Sequence, residues 1–203
     1  MIDIAGAIDV AGRGASSLAS KEAHKPARWP SKALAKLAAV AAARLILLAS
    51  AASAGALSEG ERAYARHDYV RAAPLLRIAA EGGSPIAQTY LGHMYEEGLG
   101  VPKNYVAAAG WLQLAAVQGE PTAQFLLGLL FNKGFGVPED WVQAEVWLNL
   151  ATSHAAPGQR DYWTRVRDGV AQKLTLDQAA DAQRRAYLFA PIVVGGPAIS
   201  ARY

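Results

Sequence analysis

Cysteine is absent from all 203 residues. That single absence excludes disulfide bridges, thiolate metal sites, a cysteine nucleophile and a lipoprotein attachment thiol, and leaves the compartment open. Net charge is also scarce. The formal excess is +3, and residues 1–56 carry seven Lys/Arg against three Asp/Glu while residues 57–203 carry thirteen against fourteen. The basic excess therefore belongs to the leader, no basic stripe marks the rest, and nucleic acid is not an expected partner. Long uninterrupted apolar runs are missing too. Residues 33–56 could span a bilayer by length, but Lys36 and Arg44 interrupt them and alanine supplies most of the bulk. Catalytic signatures are equally thin: there is no Gly-x-Ser-x-Gly elbow and no Ser-x-x-Lys. The Gly-x-Gly pairs lack both a third glycine and a following Lys-Ser/Thr, so they read as turns and not as phosphate cradles.

What the chain does contain is a sentence written twice. Ala79–Pro102 returns as Ala115–Pro138, thirty-six residues later, without a slip in register. Ala87-Gln88 matches Ala123-Gln124, and Leu91-Gly92 matches Leu127-Gly128. Tyr95 matches Phe131, and Gly98 and Gly100 match Gly134 and Gly136. Ala108 and Trp111 match Ala144 and Trp147. A fixed period of this length signals stacked structural repeats. Helical spacing predicts one helix type at Tyr69–Ala79, Tyr105–Ala115 and Trp141–Ala151. A second type is expected over Pro85–Glu97 and Pro121–Lys133, each with proline in its first turn, where a missing N–H costs nothing. Mid-helix glycine loses about 1 kcal/mol against alanine, so Gly92 and Gly128 imply a close neighbouring helix, with Trp111 and Trp147 expected to fill the adjacent space. The two Gly-x-Gly-Val-Pro stretches supply left-handed backbone and a stop.

These marks, twice in phase, resemble the Sel1-like repeat, a relative of the tetratricopeptide repeat. The resemblance covers residues 57 to about 187 and implies an all-α, right-handed α/α superhelix, or solenoid, of helical hairpins that acts as an adaptor. Exported bacterial members are similar in carrying a signal peptide, and they include regulators of envelope signalling and exopolysaccharide production. A cysteine-rich branch has been associated with penicillin binding or β-lactam hydrolysis, and this cysteine-free chain departs from it. The tetratricopeptide comparison also implies a concave groove on the Leu-Gly helix. Thr89, His93, Glu96, Phe125, Leu129, Asn132 and Lys133 would face that groove, while Leu91, Tyr95, Leu127 and Phe131 mark the core. Exposed Phe125 and Leu129 would be the apolar anchors for a partner helix or peptide. The alternative is that the next helix covers them.

The expected organisation has four parts. Residues 1–56 form a disordered leader and signal peptide, with its apolar run at about 45–56 and cleavage after Ala54 or Ala56. Residues 57–187 form the array, divided into a tetratricopeptide-like first unit (57–82), two clear repeats (83–118 and 119–154) and a degenerate cap (155–187). Residues 188–203 form a loose tail. His93 and Glu96 share a helix face, but zinc needs three or four ligands and the remaining histidines lie elsewhere, so no metal or cofactor is expected. The expected function is a non-enzymatic binder of another envelope protein or peptide segment, in the periplasm or secreted, touching a membrane only if the leader is retained. The alternative is an envelope protein that binds cell-wall peptidoglycan or weakly hydrolyses β-lactams.

Overall fold

The computed structural model describes residues 52–189 and 191, and the expected leader and most of the expected tail lie outside the described residues. Contacts divide the chain after Leu45, so all described residues belong to the second unit. They form eight helices and no strand. These are α1 (52–65), α2 (Tyr69–Glu81), α3 (Pro85–Glu97), α4 (Tyr105–Ala116), α5 (Pro121–Lys133), α6 (Trp141–Ser153), α7 (Pro157–Ala171) and α8 (Leu176–Leu188). Residues 52–56, ahead of the expected start of the array, are already helical in α1, and Ala56 is buried in the fold.

Local chemistry sets the boundaries of the helices. Asp68, Ser84, Asn104 and Asp140 each accept a hydrogen bond from the backbone N–H three residues on, at 3.3, 3.4, 3.0 and 2.9 Å. Proline opens α3, α5 and α7. Gly98 and Gly134 end α3 and α5 in the left-handed conformation, at φ 75° and 67°. Thr175 and Gln178 form the capping box that opens α8.

Three recurring contacts hold the hairpins together. In the first, a glycine on the leading helix receives a leucine from the trailing one. A Cβ on Gly60, Gly92 or Gly128 would stand 2.8, 2.5 or 2.8 Å from the Cγ of Leu76, Leu112 or Leu148. This corrects the expectation that the tryptophans fill that space: the leucines that follow them do so. Trp111 instead packs, partly exposed, on the cluster of α1–α3, and Trp147 is 7% exposed within the α4–α6 core.

The second contact crosses between hairpins. Gly100 and Gly136, at φ 67° and 73°, bring their loops against the backbone at Tyr69 and Tyr105, the starts of α2 and α4. The third is polar. Gln88 and Gln124 donate Nε2–H to the carbonyls of Ala80 and Ala116, both at 3.1 Å, and so satisfy the ends of the preceding helices.

At the C-terminal end α7 and α8 both pack on α6. Leu188 and Phe189, assigned to the loose tail by sequence, close α8 and the core respectively. The Phe189 ring meets Trp147 edge-on at 5.6 Å and 73°.

Glu145 is an anomaly of α6: it is 5% exposed and its Oε2 has no hydrogen-bond partner. In register it replaces Ala109. Burial raises its carboxyl above the ordinary carboxylate range, with Arg167 and an Asn149 hydrogen bond opposing and Asp168 assisting the rise. Arg167 is itself bonded to Asp168 at 2.6 Å. Because the folded pKa exceeds the unfolded one, the native state loses stability as pH climbs from the ordinary carboxylate range through the raised value. Glu145→Gln is therefore expected to stabilise the fold by about 1 to 2 kcal/mol at neutral pH. The gain should close as the pH falls to about 4. Urea midpoints of both proteins across pH 4–8 check this, and a pH-independent difference would contradict it.

Candidate functional site

The leading helices α1, α3 and α5 enclose an open cleft of about 310 Å³. Tyr64 comes from α1, and Ile86, Thr89, Tyr90 and His93 come from α3. The far wall is Glu120, Thr122 and Leu126 at the start of α5. Tyr64 and Tyr90 rings lie 4.7 Å apart, and the Tyr64 hydroxyl shares a 2.9 Å hydrogen bond with His93 Nδ1. Thr89 turns its hydroxyl back to the Pro85 carbonyl at 2.8 Å, which leaves its methyl group free for the cleft. Ile86 is 44% exposed. The result is an apolar floor of two tyrosines, Ile86 and Leu126 with a polar rim.

Burial is the main cause raising both tyrosine hydroxyls, with neighbouring Tyr69, Tyr90 and Glu97 adding to it at Tyr64 and Glu61 at Tyr90. Both stay neutral hydrogen-bonding groups at physiological pH. Burial likewise raises the Glu96 carboxyl, opposed by His93, Lys133 and Lys103 and reinforced by Glu97. Among the described residues no group of three metal-ligating side chains comes together, and no helix is long and apolar enough to cross a membrane.

The expected groove set divides in two. Thr89 and His93 line the cleft, with Glu96 half-buried further along α3. Phe125 does not line it, which corrects its assignment as an exposed anchor. It is 6% exposed and lies parallel to the Trp163 ring at 4.8 Å and 10°, with Tyr162 at 5.8 Å. Leu129 is half-buried in the same cluster. Thr89 and His93 on α3 correspond in register to Phe125 and Leu129 on α5, and there α7 covers them, while Thr122 and Leu126 stay on the cleft. Asn132 is drawn to the same end, accepting from Lys173 Nζ at 2.8 Å, and exposed Lys133 stands over the Phe135 ring.

Ile86 and Thr122 share the helix face of Thr89 and Phe125, three residues earlier, and Tyr90 and Leu126 lie one position round from it; the expected groove set included none of the four. Their signal was present, since 86 and 90 fall in register with 122 and 126.

Consecutive helical hairpins define the class as an all-α solenoid. The Sel1 repeat model matches residues 47–84, 85–120 and 121–154, and the chain belongs to the Sel1 repeat family. Proteins of this family generally mediate protein–protein interaction and are typically non-catalytic scaffolds. One similar solved structure is c5321, a protective antigen present in uropathogenic Escherichia coli strains displaying an SLR fold. It is 28% identical with a TM-score of 0.57, over 71% of this chain and 34% of that one. A Sel1 repeat protein from Oxalobacter formigenes is 32% identical with a TM-score of 0.50, over 67% of this chain and 54% of its own. The chain thus spans about a third and about half of the length of these two relatives. No curated protein matches it.

Proposed function

We propose that the chain is a non-enzymatic adaptor of the bacterial envelope that holds a segment of another protein in the cleft between α1, α3 and α5. The observation that carries this reading is the composition of the cleft. Exposed Ile86, the Thr89 methyl group and the Tyr64–Tyr90 pair offer apolar area, while His93, Glu120 and Thr122 give a polar rim. Such a centre and rim is the usual build of a protein interface. Export is supported by the basic flank, short apolar run and small-residue ending of residues 32–56, with cleavage after Ala54 or Ala56. A role in envelope signalling or exopolysaccharide production rests on the family resemblance alone.

The test places a photo-crosslinking amino acid at Ile86, and in a second protein at Val106, which is 70% exposed on α4. In living cells the cleft position should capture one partner that the α4 position does not. Identical capture profiles from both positions, or none from either, would remove the cleft from the account.

A further inference from the structure

The cleft of α1, α3 and α5 departs from the repeat at the residue that opens α5. In register with Glu120 stands Ser84, whose hydroxyl accepts from the Ala87 N–H and caps α3 with a neutral group. Glutamate is not among the side chains favoured at that position. Glu120 caps α5 with one oxygen only: Oε1 accepts from the Thr122 N–H at 3.3 Å. Its Oε2 has no hydrogen-bond partner among the described residues, and Glu120 joins none of their ion pairs. The N-terminus of α5 offsets part of the charge. A serine would complete the cap with no charge at all, so the second oxygen is surplus to the helix.

No lysine or arginine stands among the described residues that line the cleft, and the His93 Nδ1 is taken by the Tyr64 hydroxyl. Beyond burial, Glu61 raises the Tyr90 hydroxyl, and Tyr69, Tyr90 and Glu97 raise that of Tyr64, so two more carboxylates stand near the tyrosines. Lys103 and Lys133 act on Glu96, further along α3. The rings lack a cation as well. Elsewhere in the chain lysines cover aromatic rings: Lys103 Nζ lies 4.9 Å from the centre of Tyr105, Lys133 Nζ 5.6 Å from Phe135 and Lys173 Nζ 5.2 Å from Trp141. Tyr64 and Tyr90, half-buried and 4.7 Å apart, have no such cover among the described residues. A tyrosine ring attracts a cation within about 6 Å of its centre.

We propose that the guest of this cleft is a lysine side chain of a partner polypeptide, its ammonium drawn by the Glu120 carboxylate and the Tyr64–Tyr90 rings, its stem packed on Ile86, Leu126 and the Thr89 methyl group. With one carboxylate oxygen already engaged, Glu120 offers a single acceptor, which suits a compact ammonium better than the two-pronged guanidinium of arginine. An acidic segment would meet like charge and no lysine or arginine in the lining. A lysine guest presupposes that the cleft binds a partner segment, and adds to that reading a charge preference.

The test titrates the isotopically labelled full chain with N-acetyllysine methylamide and, separately, with N-acetylnorleucine methylamide, which has the same stem without the amine. The lysine probe should shift the backbone amides of Ile86, His93 and Thr122 saturably and bind at least fivefold more tightly than the norleucine probe. Glu120→Gln should narrow that ratio to below about twofold. Glu120→Ser, which copies the cap at Ser84, should narrow it equally with α5 intact. Norleucine binding as tightly as lysine would overturn the lysine guest while leaving the cleft as an apolar site. An unchanged ratio in both variants would overturn it too, as would tighter binding of N-acetylarginine methylamide. No saturable shift from any probe would remove the lysine guest and the cleft together.

Discussion

Gly136→Ala is expected to lose about 4 kcal/mol or more of stability, because two independent costs fall on one methyl group. The residue sits at φ 73°, where a Cβ is strained by about 1 to 2 kcal/mol. The added atom would also overlap the Tyr105 carbonyl and stand 2.7 Å from Val106 N, and neither backbone group can rotate away. Relief requires moving the loop off the start of α4, which opens the joint between two hairpins. Gly110→Ala is the matched control: Gly110 is exposed within α4 and a Cβ there meets nothing within 4 Å. Alanine there should stabilise the helix by roughly 0.5 to 1 kcal/mol. Urea midpoints of the three proteins measure both effects, and equal midpoints would dismiss the loop clasp.

Trp147→Ala should cost about 3 to 5 kcal/mol, the range for emptying a large buried aromatic site. Its indole is 7% exposed, contributes to the core of α4–α6 and carries the Phe189 ring on one edge. Trp111→Ala should cost less, although the two residues are exact counterparts in the repeat. Trp111 is only partly buried against the α1–α3 cluster. Chemical denaturation separates them, and equal losses would show that repeat register, and not local burial, governs the energetics.

That pair of tryptophans shows how far the sequence could be read. Bounds of α3 and α5 were legible because proline at the start and left-handed glycine at the end are local chemistry, independent of what packs outside. Gly92 and Gly128 announced a close helix for the same reason, but not which side chain arrives. Leu112 and Trp111 are adjacent, and a difference of about 100° round the helix decides between them.

That residues 52–56 belong to α1 was hidden by ambiguity in the residues themselves. Ala52–Ala56 is a small-residue ending suited to cleavage, and it is equally good helix. Phe125 was misplaced because its cover comes from α7, which has none of the repeat marks yet brings Tyr162 and Trp163 to the right place. The cleft residues Thr89 and His93 were found, but their partner wall of Thr122 and Leu126 depends on how far α5 is rotated against α3, which a linear period does not specify.

The central claim is that α3 keeps an open face at Ile86 while α7 closes α5 at Phe125. The absence of cysteine makes this directly measurable, since any single introduced thiol reports alone. Ile86→Cys and Phe125→Cys, each in the full chain, would be reacted with a maleimide under native conditions and again in denaturant. The account predicts rapid native labelling at position 86 and labelling at position 125 slowed by at least a hundredfold, with equal rates once unfolded. Equal native rates would mean that α7 does not cover α5, and the cleft would then lose its claim to be the open surface of the array.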